Sequence, residues 1–248
     1  DMKKTTYFGF KEVPIEEKTY RVRKVFDNVA TRYDLMNDLM SAGLHRIWKR
    51  VAIETIAIRP RMQILDLASG TGDLAREMWR RAGSEGHVVM ADINERMLHV
   101  GRNKCIDNGA LKGLSWCQCD AEALPYPNET FDRVMIGFGL RNVTDKDAAL
   151  REMHRILKPN GKALVLEFSK PVSASLSQLY DVYSFAVLPA MGHFIAQDKE
   201  AYQYLAESIR KHPDQDTLAG MMREADFESV TYTNLTGGIV AIHTGAKV

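Results

Sequence analysis

The stretch that decides the fold reads Ile64-Leu-Asp-Leu-Ala-Ser-Gly-Thr-Gly-Asp73. It completes an apolar run that begins at Met62, ends in a glycine-rich turn and is followed by a helical pattern to about Arg81. Glycines at a strand-to-helix turn let the backbone approach a ligand closely, and they expose the amide groups of the helix N-terminus. The stretch therefore predicts a buried strand, a ligand-binding turn and a helix.

Downstream of this turn, apolar runs of strand length alternate with helical patterns. Helices are predicted over Asn94–Asn108, with Asn94 as the cap, and over Asp145–Leu157. The predicted strands are Val88–Asp92, Leu114–Cys119, Phe131–Phe138 and Lys162–Phe168. Strands that alternate with helices predict a mainly parallel sheet covered on both faces.

The C-terminal part of the chain is predicted to be helical over Leu176–Leu188, over Ala201–Lys211 and from about Asp216 to Ala225. Two last strands, Ser229–Leu235 and Gly238–Thr244, are joined by Thr236-Gly237, and a two-residue turn makes an antiparallel hairpin. A parallel sheet that finishes in such a hairpin is typical of class I methyltransferases and unusual for dehydrogenases. The predicted fold class is α/β: a Rossmann-like, mostly parallel seven-stranded sheet with a C-terminal antiparallel hairpin.

A helical extension is predicted ahead of this sheet. Val22, Val25, Phe26 and Val29 fall at the spacing of one helix face, and a second helix runs from about His45 to Ile58 before Pro60. The sequence contains no internal repeat or linker-like tract. We therefore expect one structural domain overall, with residues 1–60 as an extension covering the active site and residues 61–248 as the Rossmann-like part.

The composition excludes several classes of protein. Hydrophobic residues make up 45% and charged residues 26% of the chain, as in ordinary globular proteins. The net charge of +1 gives no global field that would recruit nucleic acid or an anionic membrane. An apolar run of about 20 residues, which a membrane span needs, is missing, as is a signal peptide. The three cysteines suggest neither a disulfide framework nor a metal site. We expect a cytoplasmic protein, or one on the mitochondrial matrix side of the inner membrane if the source is eukaryotic.

The glycine-rich turn is compatible with two cofactors. Residues 70–75 satisfy the pattern G-x-G-x-x-A, and Asp92 follows at about the spacing of the dinucleotide fingerprint, so a nicotinamide cofactor stays open at this point. Asp66 and Asp73 place two carboxylates around the turn, which suits a sulfonium and an amino group better than a pyrophosphate. Asp120-Ala121 closes the third strand, where a carboxylate can accept from an adenine amino group. These acids favour S-adenosylmethionine (SAM), which the turn at Gly70 and Gly72 would cradle.

Four further segments resemble the ubiquinone/menaquinone biosynthesis C-methyltransferases. Tyr33-Asp-Leu-Met-Asn37-Asp-Leu-Met-Ser41-Ala-Gly-Leu-His45-Arg-Ile-Trp48-Lys49 is similar to the N-terminal signature of that family, and residues 155–169 are similar to its second signature. Phe138-Gly-Leu-Arg-Asn-Val143 and His212-Pro-Asp-Gln-Asp216 also match. The resemblance covers nearly the whole chain, from about Phe8 to the C-terminus.

The resemblance implies methyl transfer from SAM to a ring carbon of a polyprenylated benzoquinol or naphthoquinol. By match of motif, Thr71, Asp92, Asp120 and Ala121 would contact the cofactor. Family members commonly carry Ser at the position before Phe138, and here Gly137 leaves only a backbone contact. The long insertion of some mitochondrial relatives is absent, which favours a bacterial-type protein.

A ring carbon accepts a methyl group when a neighbouring hydroxyl is ionised to a phenolate, so the acceptor dictates the catalytic candidates. Arg141 and Asn142 follow the fourth strand, and Arg141 is interpreted as stabilising a phenolate or positioning water, against a surface ion pair. His45 is a candidate base or a structural histidine. Tyr33 either hydrogen-bonds the quinol oxygen or packs. No metal is needed.

Other interpretations stay open. A small-molecule O- or N-methyltransferase of the same fold is one, and a non-catalytic scaffold of a quinone-synthesis complex is another. The expected partners are a polyprenylated quinol and a peripheral contact with the inner membrane or with such a complex, and no nucleic acid. A homodimer is one option for an oligomeric state that the sequence does not fix.

Overall fold

The computed structural model describes residues 5–110, 112–187, 190 and 199–248. The described chain opens with a short antiparallel hairpin, β1 (Thr5–Phe8) and β2 (Lys11–Pro14). The helices that follow are α1 (Ile15–Val29), α2 (Tyr33–Ser41), α3 (His45–Ile56), α4 (Asp73–Ala82), α5 (Glu95–Asp107), α6 (Lys146–Ile156), α7 (Ala174–Val182), α8 (Lys199–Lys211) and α9 (Gln215–Glu224).

Seven further strands form one sheet. They are β3 (Gln63–Leu67), β4 (His87–Asp92), β5 (Leu114–Gln118), β6 (Phe131–Gly137), β7 (Leu157–Phe168), β8 (Glu228–Leu235) and β9 (Val240–Ala246). Their spatial order is β5-β4-β3-β6-β7-β9-β8, and among these seven strands β9 alone runs in the direction opposite to the other six. The mostly parallel sheet with a C-terminal antiparallel hairpin is confirmed.

The apolar pattern explains why both faces of the sheet are covered. Ile64 packs into the layer formed with α1, α3, α4 and α8, whereas Leu65 packs into the layer formed with α6 and α9. Val22 and Val25 of α1 belong to the first of these layers, so the N-terminal extension shares a core with the sheet. None of the helices in the described ranges has both the length and the apolar character needed to cross a membrane.

The structure corrects the sequence analysis at four places. The N-terminal extension contains the hairpin β1–β2 and the helix α2, neither of which was predicted. Helix α7 ends at Val182 and continues as a π-helical turn, Tyr183–Val187, while the predicted end at Leu188 lies outside the described residues. The last two strands are joined not by a two-residue turn but through a 3-10 turn, Thr236–Gly238, in which Gly237 and Gly238 have positive φ.

Two glycines inside helices offer a matched test of how closely α5 packs on the glycine-rich turn. A Cβ on Gly101 of α5 would lie 2.8 Å from the carbonyl oxygen of Gly70, whereas a Cβ on Gly220 of α9 would meet nothing within 4 Å. We expect Gly101→Ala to lower the free energy of unfolding by about 1–3 kcal/mol because backbone must move. Gly220→Ala should raise it by up to about 1 kcal/mol. Urea unfolding measures both, and a Gly101→Ala protein as stable as the parent would contradict this packing.

Candidate functional site

A cleft of about 790 Å³ opens at the carboxyl ends of β3, β4, β5 and β6. Ligands of open parallel sheets bind at this edge, so its position agrees with the sequence prediction. Val22 and Phe26 of α1 line the opposite wall. The N-terminal extension therefore lies over the edge of the sheet that carries the predicted cofactor residues.

Asp92 ends β4 and joins two backbone segments at this edge. Its Oδ2 accepts the N–H of Gly70 at 2.9 Å, and its Oδ1 accepts the N–H of Asn94 at 2.9 Å. Burial raises the pKa of Asp92, and the backbone N–H donors oppose that rise. Each carboxylate oxygen keeps a lone pair, and Asp92 lines the cleft, so the geometry fits a carboxylate that accepts the two hydroxyls of a ribose.

The glycine-rich turn has the shape of a cradle. Gly70 and Gly72 have φ values of 53° and 79°, a region that favours glycine. A Cβ on Gly70 would lie 3.3 Å from Cε of Met97, and a Cβ on Gly72 would lie 2.8 Å from Cε of Met90. A second, smaller cleft of about 360 Å³ continues past Gly70. Gly70 therefore borders both clefts, whereas Gly72 borders neither and packs against the core at Met90.

Thr71 is tied to the N-terminal extension. Its hydroxyl donates to Oδ1 of Asp34 at 3.0 Å, and Asp34 also pairs with the ammonium of Lys104. Thr71 borders the smaller cleft and not the larger one. Asp34 and Lys104 were not singled out from the sequence, although Asp34 stands inside the N-terminal signature. Of the two clefts, Thr71 therefore borders only the one that Asp73 also borders.

The two acids predicted around the turn have different surroundings. Asp66 is 1% exposed and borders neither cleft. Burial raises its pKa to about 8, with the backbone N–H of Ala75 offsetting part of the rise, so the group is neutral at pH 7. Asp73 borders the smaller cleft, and Lys49 lies 2.9 Å away and, against the effect of burial, lowers the pKa of this carboxyl. Only Asp73 offers a carboxylate to an amino group.

The third and fourth strands supply the remaining cofactor candidates. Asp120 is exposed at the mouth of the larger cleft and accepts the N–H of Glu122 at 3.0 Å, while the neighbouring Ala121 is buried in the wall. Gly137 borders the smaller cleft. A Cβ at this position would lie 2.4 Å from Cδ1 of Leu74, so a serine there would require Leu74 to move.

Arg141 is not on the surface. Its Nη1 lies 3.1 Å from Oε1 of Glu167 and donates to the carbonyl of Phe138 at 2.5 Å, and its guanidinium stacks 5.5 Å above the ring of Phe168. Both charged side chains are almost fully buried. Arg141 thus forms a buried ion pair and not the surface ion pair that the sequence left open. It lies behind the wall of the larger cleft and is not among the residues that line it. Glu167 was a residue of the second signature that sequence reasoning left without a role.

Asn142 and Tyr33 line the larger cleft, as expected for residues that meet an acceptor. Oδ1 of Asn142 accepts the hydroxyl of Tyr204 at 2.9 Å. Burial raises the pKa of Tyr33, and the nearby positive charge of Arg141 opposes that rise. The structure therefore brings Tyr33 and Asn142 to one cavity, with Arg141 within electrostatic reach.

His45 lies elsewhere. Its Nε2 is 2.7 Å from Oδ1 of Asp38, and it borders a separate charged cleft between α3 and α4. Burial lowers the pKa of His45, Lys49 lowers it further, and the hydrogen bond with Asp38 raises it. The structure does not bring His45 to the cleft that holds Tyr33 and Asn142, which favours its structural interpretation over the role of a base.

The part of the chain that the structure describes contains no group of three or more His, Cys, Asp or Glu side chains arranged to hold a metal ion. Cys117 and Cys119 are free thiols, and burial raises the pKa of Cys119 to about 12. A thiol with a raised pKa stays protonated and is a poor ligand.

The buried acid Asp66 makes a pH-dependent prediction. A carboxyl whose pKa is raised on folding stabilises the fold while protonated, so its contribution is lost as the pH rises from about 4 toward 8. We expect Asp66→Asn, which resembles the neutral acid, to flatten the fall in the free energy of unfolding between pH 6 and pH 8. The largest effect of one proton is about 1.4 kcal/mol per pH unit. Urea unfolding at both pH values tests this, and identical slopes for parent and variant would show that Asp66 is ionised when folded.

Comparison with known proteins gives the family. The model of the ubiE/COQ5 methyltransferase family matches residues 14–247. The ubiquinone/menaquinone biosynthesis C-methyltransferase UbiE of Cellvibrio japonicus is 57% identical over 245 residues, which cover 99% of this chain and 98% of that protein. The UbiE of a Marinomonas species is 58% identical over 247 residues, covering 100% and 98%.

Solved structures agree on the fold. A SAM-dependent methyltransferase of Thermotoga maritima matches with a TM-score of 0.64 at 20% identity, covering 91% of this chain and 99% of that one. Another, from Aquifex aeolicus, matches with a TM-score of 0.56 at 14% identity, covering 86% and 96%. The sheet is thus that of class I SAM-dependent methyltransferases, and by the match along nearly its whole length the chain belongs to the ubiE/COQ5 methyltransferase family.

Proposed function

We propose that this protein is a SAM-dependent C-methyltransferase that methylates a ring carbon of a polyprenylated quinol in ubiquinone/menaquinone biosynthesis. The observation that carries the proposal is the cleft that Asp92, Tyr33 and Asn142 line together. Asp92 would hold the ribose, and Tyr33 and Asn142 would meet the acceptor. The names of the relatives, at 57% and 58% identity over nearly the full chain, support the substrate class. Both a benzoquinol and a naphthoquinol fit this proposal.

The two clefts suggest how SAM would lie. Asp92 would hold the ribose, and Asp120 and Ala121 would border the adenine in the larger cleft. The methionine end would enter the smaller cleft, where Asp73 and Lys49 offer opposite charges to an amino group and a carboxylate. When bound, SAM supplies an electrophilic methyl group on a sulfonium. The residues around it orient that group and exclude water.

The acceptor would need its phenolate charge stabilised while the methyl group approaches the ring. Tyr33 and Asn142 carry hydrogen-bond donors at the cleft wall. Arg141 lies behind that wall, and its buried Nε has no hydrogen-bond acceptor among the described residues. Glu167 offsets part of the positive charge of Arg141, but at Tyr33 the effect of Arg141 exceeds that of Glu167, so the net field there would favour a phenolate. Arg141 also holds the turn after β6 through the carbonyl of Phe138.

A lipidic acceptor implies contact with a membrane surface. Helix α7 has no buried residue, and Leu179 and Val182 are 68% and 62% exposed. Phe185, which follows α7, is half-exposed, and its ring packs against that of Phe10 of the N-terminal hairpin with centroids 6.0 Å apart. We propose this apolar face as the peripheral membrane contact, and flotation with quinol-containing vesicles measures it.

The direct test is an assay of purified protein with methyl-labelled SAM and two acceptors, a demethyl-benzoquinol and a demethyl-naphthoquinol. We expect label on a ring carbon, located by NMR of the product. A methyl group on oxygen or nitrogen would instead support the small-molecule methyltransferase, and SAM binding without turnover would support the scaffold.

Arg141 provides a variant for the same assay. Arg141→Ala should lower kcat by about 10²–10³ with little change in SAM affinity. Because the change leaves Glu167 buried without its partner, it should also lower stability by about 3–5 kcal/mol. Arg141→Met combined with Glu167→Gln removes the stranded charge and should recover stability but not turnover. Recovery of both in the double variant would show that Arg141 is only structural.

A further inference from the structure

The turn after β6 is held from behind by a tyrosine. The hydroxyl of Tyr204, on α8, donates to Oδ1 of Asn142 at 2.9 Å. Tyr204 is 3% exposed, and burial raises its pKa, so the hydroxyl stays protonated and remains a donor. With its oxygen engaged by Tyr204, the Asn142 amide has its nitrogen left to donate to another group.

Tyr204 is itself fixed by the N-terminal hairpin. Its ring stacks on Phe8 with centroids 4.3 Å apart and an angle of 14° between the planes. The hairpin is attached to the same helix a turn later, where the N–H of Phe10 donates to Oε2 of Glu207 at 2.9 Å. The ammonium of Lys211 lies 3.8 Å from the ring centroid of Tyr7. These contacts hold the hairpin on α8 and keep Phe8 stacked on the ring of Tyr204.

The N-terminal extension holds the other side of the same turn. Nζ of Lys18, in α1, donates to the carbonyl of Val143 at 3.4 Å, and Nζ of Lys146 donates to it at 3.1 Å. Burial lowers the pKa of Lys18 to about 8, and Lys146 adds to this effect. Lys18 therefore holds the backbone next to Asn142, and Tyr204 holds the Asn142 side chain.

The direction of the Asn142 amide matters for the chemistry. An N–H group aimed into the cleft stabilises a phenolate oxygen, whereas a carbonyl oxygen aimed there would repel it. A planar amide that turned over would exchange the two groups at almost the same positions. In the structure the Tyr204 hydroxyl donates to the amide oxygen, and it has no other hydrogen-bond acceptor among the described residues. An amide turned over to donate its N–H to this hydroxyl would therefore leave the hydroxyl proton unpaired.

We propose that Tyr204 is a positioning residue for methyl transfer. Its hydroxyl fixes the Asn142 amide with the nitrogen facing the cleft, and the stack on Phe8 makes the N-terminal hairpin part of this arrangement. The proposal rests on the proposed function, in which the acceptor lies beside Asn142. If the Tyr204 hydroxyl had only a structural role, its hydrogen bond to Asn142 would not affect how the Asn142 amide acts on the acceptor.

The test is Tyr204→Phe, which keeps the ring and its stack and removes the hydroxyl. We expect kcat to fall by about 10-fold to 100-fold while SAM affinity stays within 2-fold, because the lost interaction acts on the reacting acceptor. In an Asn142→Ala background the same change should alter kcat by less than 2-fold. Tyr232→Phe is the matched control. Tyr232 lies on β8, and its hydroxyl donates to Oδ1 of Asp216 at 2.8 Å, so the change removes a tyrosine hydroxyl elsewhere and should leave kcat unchanged.

A readout without turnover keeps this proposal separate from the proposed function. The side-chain amide signals of Asn142 in a proton–nitrogen NMR spectrum should move in Tyr204→Phe and stay in place in Tyr232→Phe. Unmoved signals in Tyr204→Phe would overturn the proposal whether or not quinol is methylated. So would an unchanged kcat in Tyr204→Phe, or an equal loss of kcat with and without Asn142. A protein whose Asn142 signals move but which methylates no quinol would contradict the proposed function alone.

Discussion

The carboxylate of Asp92 is the interaction on which the site depends. By accepting the N–H groups of Gly70 and Asn94, it fixes the glycine-rich turn of β3 against the end of β4 and the start of α5. Two adjacent strand ends thereby become one surface, with carboxylate lone pairs left toward the cleft. The close packing of Gly101 on the carbonyl of Gly70 completes this surface from the side of α5.

The N-terminal extension converts that surface into an enclosed site. It contacts the turn through Asp34 and Thr71, the first residue of α4 through Lys49 and Asp73, and the turn after β6 through Lys18 and Val143. Each contact joins a polar side chain of the extension to a loop at the carboxyl edge of the sheet. Of these contacts, Lys49 with Asp73 is an ion pair, and both of its residues border the smaller cleft.

What could be predicted from the sequence was what local patterns encode. The glycine-rich turn, Asp92 and Asp120 each follow a short apolar strand, so their place at one sheet edge follows from the parallel topology. The ion pair of Arg141 with Glu167 spans 26 residues, and the bond of Tyr204 to Asn142 spans 62. No spacing rule reaches so far. His45 was a candidate base because its hydrogen bond with Asp38 could not be predicted from the sequence. Asp38 lies on α2, a helix that was not predicted. The four-residue strands of the hairpin acquire their place by packing on α1 and α8, which are tertiary contacts that no local pattern encodes.

The central claim, that the cleft binds SAM through Asp92, is tested most directly by calorimetric titration of the protein and of Asp92→Ala with SAM and with NAD. The account predicts that SAM binds the parent protein and NAD does not. It also predicts that the variant, still folded in a thermal melt, loses about 2–4 kcal/mol of SAM affinity, the scale of charge-assisted hydrogen bonds. Unchanged SAM affinity in Asp92→Ala, or tight binding of NAD by the parent, would contradict it.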